Sequence, residues 1–189
     1  EEIVKLLSTN KIYLSNLETD FASSNKIFEV FRDKKIIGFG EATHGTDEFF
    51  KIRGDMTKFL ILNLGFKTIA IEGGFQECIN LNDYICYEKG NGRELIINLK
   101  QWFWQRNEMV QFVDWLKDYN SCKNENDKVR FYGFDMQWRN ESTKFIISFL
   151  SKVDPALYEK YEHKLYIIKE TEEIALAPEI FQTIVDIEN

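Results

Sequence analysis

Three short apolar runs stand out along the chain: Ile36-Ile37-Gly38-Phe39, Thr68-Ile69-Ala70-Ile71 and Val129-Arg130-Phe131-Tyr132-Gly133-Phe134. Each is too short for a helix and rich in β-branched or aromatic residues, so each is expected to be a buried strand. Between them the period changes. Phe49, Ile52, Met56, Phe59 and Leu60 share one face at helical spacing, and so do Met109, Phe112, Val113 and Leu116. Strands alternating with helices predict an α/β fold with a mostly parallel sheet and crossover helices. From Pro155 to Asn189 the pattern is helical throughout, interrupted at Pro178, with sparser apolar positions such as Leu157, Tyr161, Leu165 and Ile168. The expectation is an α/β core over residues 1–153 and a helical segment over 154–189. That segment is either a helix pair lying over the sheet or a lid.

Composition narrows the classes. A chain of 189 residues is one domain or part of one. Only 2 prolines and 10 glycines punctuate it, which favours long elements. With 16 Phe, 8 Tyr and 4 Trp it can fill a core, so whole-chain disorder is excluded. A net charge of −7 argues against nucleic acid as a partner. No apolar run approaches the ~20 residues of a membrane helix, so no membrane partner is expected. Cys78, Cys86 and Cys122 form neither a Cys-x-x-Cys pair nor a metal-knuckle spacing. They read as structural thiols of a protein in a reducing compartment, the cytoplasm. The chain starts at Glu1 without a charged-then-apolar leader, so its natural N-terminus is expected to differ.

The chemistry gathers where strands end. Each strand candidate runs into an acid: Glu41 after Phe39-Gly40, Glu72 after Ala70-Ile71, and Asp135 after Gly133-Phe134. Ligands of open α/β sheets sit outside the carboxyl ends of the strands, so three such acids would converge on one crevice. A single acid at such a place is more simply a helix cap; three together favour a site. The densest segment is Gly40-Glu41-Ala42-Thr43-His44-Gly45-Thr46-Asp47. It sets His44, one of 2 histidines, in a glycine-bracketed turn, with Thr46 and Asp47 as plausible caps of the next helix. Trp102-Phe103-Trp104 either lines an apolar pocket for a large ligand or packs the core. No Gly-x-Ser-x-Gly elbow and no Walker or Rossmann glycine pattern is present.

Gly40 to Gly45, then Glu48-Phe49-Phe50, Arg53, Gly65-Phe66 and Glu72 resemble the erythromycin esterase family. Phe131-Tyr132-Gly133-Phe134-Asp135-Met136-Gln137 resembles its third-strand motif, and the stretch from Trp104 to Asn120 is similar to its intervening helix. The resemblance runs in order from Ile36 to Trp138. It implies a three-layer α/β/α fold and hydrolysis of a macrolide lactone, or another small-molecule ester, by activated water. An antibiotic-resistance role is part of that implication. Carried over by position, His44 is the general base, and Glu41 and Glu72 orient it or the water. Arg53 pairs with these acids, faces the substrate, or is a buried ion-pair partner. Asp135, Gln137 and Trp104 are the substrate-binding candidates. The resemblance also implies a later strand ending in an Ala-His-Asn-x-His-like motif, which these 189 residues lack. The chain therefore reads as the N-terminal portion of such a protein or as a shortened one, with an incomplete site. No cofactor is required. The rival reading is a non-enzymatic binder: Glu41, His44, Glu72 and Asp135 offer one nitrogen and several oxygens to a divalent metal. A related fold that binds haem extends this rival to an iron or haem carrier.

Overall fold

The computed structural model describes residues 25–135 and 139–170. These contain seven α-helices, two single 3-10 turns and two strands. The order is α1 (Asn25–Phe31), α2 (Asp47–Leu64), β1 (Thr68–Gly74), α3 (Phe75–Tyr87), α4 (Gly92–Asn98), a 3-10 turn (Trp102–Trp104), α5 (Asn107–Ser121), a second 3-10 turn (Glu125–Asp127), β2 (Arg130–Asp135), α6 (Arg139–Val153) and α7 (Pro155–Glu170). The protein is thus a mixed α/β structure with a small parallel sheet. β1 and β2 pair in parallel, from Thr68 opposite Arg130 to Ile71 opposite Gly133, then slip so that Gly74 faces Asp135. Parallel neighbours need a long crossover, and α3, α4 and α5 supply it.

The main core lies between this sheet and the crossover helices. Cys78, Leu81 and Ile85 of α3, Ile96 of α4, Val113 and Leu116 of α5, and Phe131 of β2 are buried together. β1 and α3 crowd Gly133 so closely that a Cβ there would stand 2.2 Å from the Gly73 carbonyl of β1 and 2.8 Å from the Cys78 sulfur of α3. No side chain fits there. The outer edge of β2 is closed by asparagines. Asn120 of α5 accepts from Val129 N at 2.8 Å and donates to Val129 O at 2.9 Å, while Asn82 of α3 accepts from Phe131 N at 2.9 Å. These amides take the place of a neighbouring strand, so the buried backbone of β2 keeps its hydrogen bonds.

α2 serves two cores. Phe50 and Ile61 enter the main one, and Phe59 and Leu60 meet Ile27 of α1 in a second. Phe49, expected on the buried face, is only half-buried; its neighbour Phe50 takes the inner position. The helix stops at Gly65, which adopts φ 71° and returns its N–H to Leu60 O. α7 packs on α6 through Leu150, Tyr161 and Leu165. Asp154 caps α7 by accepting from Leu157 N at 3.0 Å, with Pro155 at the first helical position. The expected helical segment is therefore seen through Glu170; Pro178 and its flanks lie outside the described residues.

One expected strand does not form. Lys35 is a bend, residues 36–40 take no regular secondary structure and make no ladder, and Ile36 is 90 % exposed. Strand character requires a hydrogen-bonded neighbour as well as a β-prone sequence. Here the segment borders a cavity beside β1 instead of joining its edge.

Two outcomes test this packing. Asn120 is 1 % exposed, and Asn120→Ala strands a buried donor and a buried acceptor. At roughly 1–3 kcal/mol for each stranded group, urea unfolding is expected to show a loss of about 2–6 kcal/mol. The second concerns Glu77 in the first turn of α3, which is 4 % exposed and has neither oxygen in a well-formed hydrogen bond. Burial pushes its carboxyl up from the ordinary 4.5; its own backbone amide and Lys100 oppose this, and Glu141 adds to it. An acid whose pKa is raised by folding holds its proton more tightly folded than unfolded, so stability falls as pH rises above the unfolded value. Glu77→Gln removes the charge at constant shape. Its melting temperature should match the native protein's near pH 4 and exceed it at pH 7–8. Parallel melting curves across that range would remove Glu77 as the source of the slope.

Candidate active site

The site is built on the loop that leads into α2. Glu41 and His44 lie three residues apart, so one turn brings the carboxylate to the ring, and Oε1 of Glu41 meets Nδ1 of His44. Arg53, on the second turn of α2, reaches back to the other oxygen: Nη2 stands 2.7 Å from Glu41 Oε2. This contact is ionic and out of line for a hydrogen bond, since both atoms are buried without a well-aligned partner. The Glu41 side chain is 14 % exposed and that of His44 is 48 %. A mostly buried carboxylate thus holds a half-exposed imidazole on one side and a guanidinium on the other.

The aromatic 3-10 turn forms the wall. Phe103 stacks on the His44 ring at 4.4 Å between centroids and 14° between planes. The Trp104 indole donates to the Glu72 carbonyl at 2.7 Å, which ties the turn to the end of β1. Phe50 meets Trp104 edge-on at 5.4 Å. The Arg53 guanidinium lies 4.5 Å from the Phe50 centroid, so an aromatic face stabilises the cation as well as the acid does. Phe103 and Trp104 are buried, while Trp102 is 62 % exposed. The tripeptide therefore packs the core with two of its rings and turns the third to solvent.

These groups border a cavity of about 680 Å³, within the usual range of small-molecule sites. Its walls are mostly apolar, from Ile37, Phe39, Ile71 and Phe134 among others; its polar groups include Glu41, His44, Arg53, Glu72 and Glu108. Of the residues singled out in the sequence, Glu41, His44, Arg53, Glu72 and Trp104 all border it. Asp135 stands at the same edge of the sheet, opposite Gly74, and accepts from Gln101 Nε2 at 2.8 Å; it is not among the cavity's lining residues. Gln137 lies outside the described residues. Among the described residues, no group of three or more His, Cys, Asp or Glu side chains is arranged to hold a metal ion. The thiols at Cys78, Cys86 and Cys122 are free, and burial pushes Cys78 up to about 12, an inert thiol at neutral pH.

Sequence reasoning missed Arg106, Gln101 and the direct role of Phe103. Arg106 donates from Nε to Phe103 O at 2.9 Å and from Nη2 to His44 O at 3.3 Å, and pairs with Asp47 through Nη1. Nothing in the spacing of residues 44 and 106 announces that meeting. The one available signal was a cation next to an aromatic cluster.

Comparison with known proteins gives the family. The sequence profile of the erythromycin esterase family matches residues 61–179. An erythromycin esterase type II of Escherichia coli is 29% identical over 123 residues, covering 65% of this chain and 28% of the relative. The aligned part therefore spans little more than a quarter of that relative's length. Among solved structures, a succinoglycan biosynthesis protein superposes with a TM-score of 0.73 at 26% identity, over 87% of this chain and 43% of the other. A Bacillus cereus protein gives 0.66 at 26% identity, over 87% and 40%. With a profile match over more than half its length and the acid–imidazole–guanidinium group at the edge of an apolar cavity, the chain belongs to the erythromycin esterase family.

Proposed function

We propose that the chain carries the base of an ester hydrolase that cleaves a lactone or other small-molecule ester with water. The observation that carries this reading is Glu41 contacting both His44 and Arg53 at an apolar cavity. With Nδ1 turned to Glu41, the imidazole keeps Nε2 as its proton-accepting nitrogen. A water bound there gives a proton to Nε2 as its oxygen bonds to the ester carbonyl carbon. The tetrahedral intermediate then expels the alkoxide, which takes the proton back, so water has been added across the C–O bond. Arg53 supplies positive charge for the developing oxyanion. Glu72, exposed at the end of β1, orients the water. No side-chain nucleophile is needed.

Cavity shape supports the substrate class. Apolar walls with a few acids and cations suit a large, mostly apolar ester, of which a macrolide lactone is the first to test, and an antibiotic-resistance role would follow from it. Trp104 contributes wall. Asp135 and Gln137, at and just after the end of β2 in sequence, bind the substrate's polar groups. Free cysteines are in keeping with a reducing compartment, and we read the protein as cytoplasmic. No helix among the described residues is long and apolar enough to cross a membrane.

His44→Asn in the full-length natural protein should cut hydrolysis of erythromycin or p-nitrophenyl acetate by about 10²–10⁴-fold, because Asn cannot accept the proton. Its melting temperature should barely change, since the half-exposed ring contributes little buried volume. Retained activity would assign the base to another residue; a failure to fold would make His44 structural. Glu72→Gln should give a smaller fall in kcat with KM nearly unchanged, because only the orientation of water is lost. A rise in KM alone would instead make Glu72 a binding residue.

A further inference from the structure

We propose that Arg106 is the positioning residue of His44, fixing the base through its backbone and through the ring stacked beneath it. This rests on the reading of His44 as the base and adds the device that aims it. Within the loop that carries His44 the bonds run between side chains, Thr43 to Thr46 at 2.8 Å and Glu41 to His44. Gly40 and Gly45 have no neighbour within 4 Å of a Cβ position. Among the described residues, the one side chain that bonds to the backbone of residues 41–45 is Arg106, through the His44 carbonyl. A general base loses rate steeply when its ring drifts, since a displacement near 1 Å can cost on the order of 10²-fold.

The guanidinium suits this task because its five N–H donors are fixed in one plane. Three of its nitrogens serve three parts of the site. Nη2 holds the His44 carbonyl, Nε holds the Phe103 carbonyl at 2.9 Å, and Nη1 meets the Asp47 carboxylate at the start of α2. Its carbon lies 4.9 Å from the centroid of Phe50, the ring that also carries Arg53. One rigid group therefore sets the distance between the His44 backbone and the Phe103 backbone, and the two rings stack at 4.4 Å as a result. Glu41 then needs only to meet a ring already in place. The Arg106 side chain is 16 % exposed, so water competes weakly for these bonds.

The test uses the full-length natural protein with Arg106→Lys and Arg106→Gln. Proton spectra of the histidine rings report the stack directly, with His44 assigned by its disappearance in His44→Asn. In the native protein the His44 ring signals should be displaced upfield by Phe103. Both variants should lose that displacement, and kcat on p-nitrophenyl acetate should fall by about 10²-fold with KM nearly constant. Lys fails as Gln does because a single ammonium cannot reach three separated acceptors. An unmoved His44 signal in folded Arg106→Gln, or full activity in Arg106→Lys, would overturn the proposal. Should Arg106→Gln not fold, folded Arg106→Lys decides in its place, because one ammonium cannot hold both the His44 and the Phe103 carbonyls, and an unmoved signal there is equally fatal. The two readings fail separately. If the signals move while His44→Asn keeps its activity, positioning stands and the hydrolytic role of His44 falls. If His44→Asn is inactive while the signals stay, the base stands and Arg106 does not position it.

Discussion

The close approach of the end of β1 and the start of α3 to Gly133 sets the geometry of the carboxyl edge. The Gly73 and Gly74 carbonyls and the Cys78 sulfur crowd the space where a side chain at 133 would stand, the first at 2.2 Å from an added Cβ. Overpacking of this kind costs about 1–3 kcal/mol or displaces the backbone, so the close fit requires glycine. Because α3 begins directly at the end of β1, the same contact fixes where that strand ends and where Glu72 is presented. The Trp104 indole then seizes the Glu72 carbonyl at 2.7 Å, and the aromatic turn is anchored to the sheet. The wall against which His44 stacks is thus attached, in two steps, to a helix–strand contact in the core.

On that rigid side the site adds a charged side that is less firmly built. Glu41 is shared between an imidazole and a guanidinium. A carboxylate this far removed from water is tolerated only with such partners, since an unpaired one would be costly. Arg53 is in turn supported by Phe50, and Phe50 also carries Arg106. Charge and aromatic surface alternate from α2 to the 3-10 turn, which lets two cations sit near each other beside an apolar cavity. The irregular segment of residues 35–40 completes the border of that cavity without pairing to β1. A site of this design has one fixed wall, given by the core, and one wall whose position depends on a few polar contacts.

Much of the local architecture was legible in the chain. The short apolar runs Thr68–Ile71 and Val129–Phe134, the helical spacing of Met109, Val113 and Leu116, and the Gly-bracketed His44 turn are all encoded within a dozen residues. Local sterics and periodic burial decide such features. The ordered motifs from Gly40 to Gln137 carried the family in the same way, because each is a short, contiguous signature. Glu72 was legible at the end of β1, and the meeting of Glu41 with His44 within one turn, because both are set by a few contiguous residues.

Whatever depended on residues far apart in the chain was decided only by the tertiary structure. A β-prone sequence at Ile36–Phe39 could not say whether a partner strand would be beside it, and it is unpaired. The helical spacing placed Phe49 on the inner face of α2, yet Phe50, 5.4 Å from Trp104, takes that position. Asp135 was placed at the right edge by its strand, yet its partner is Gln101, 34 positions away. Arg106 is the plainest case: its three bonds run to residues 44, 47 and 103, and no period links those numbers. Sequence determines what each short segment can become; the docking of one segment on another chooses among those possibilities, because hydrogen bonds and ion pairs are satisfied in space and not along the chain.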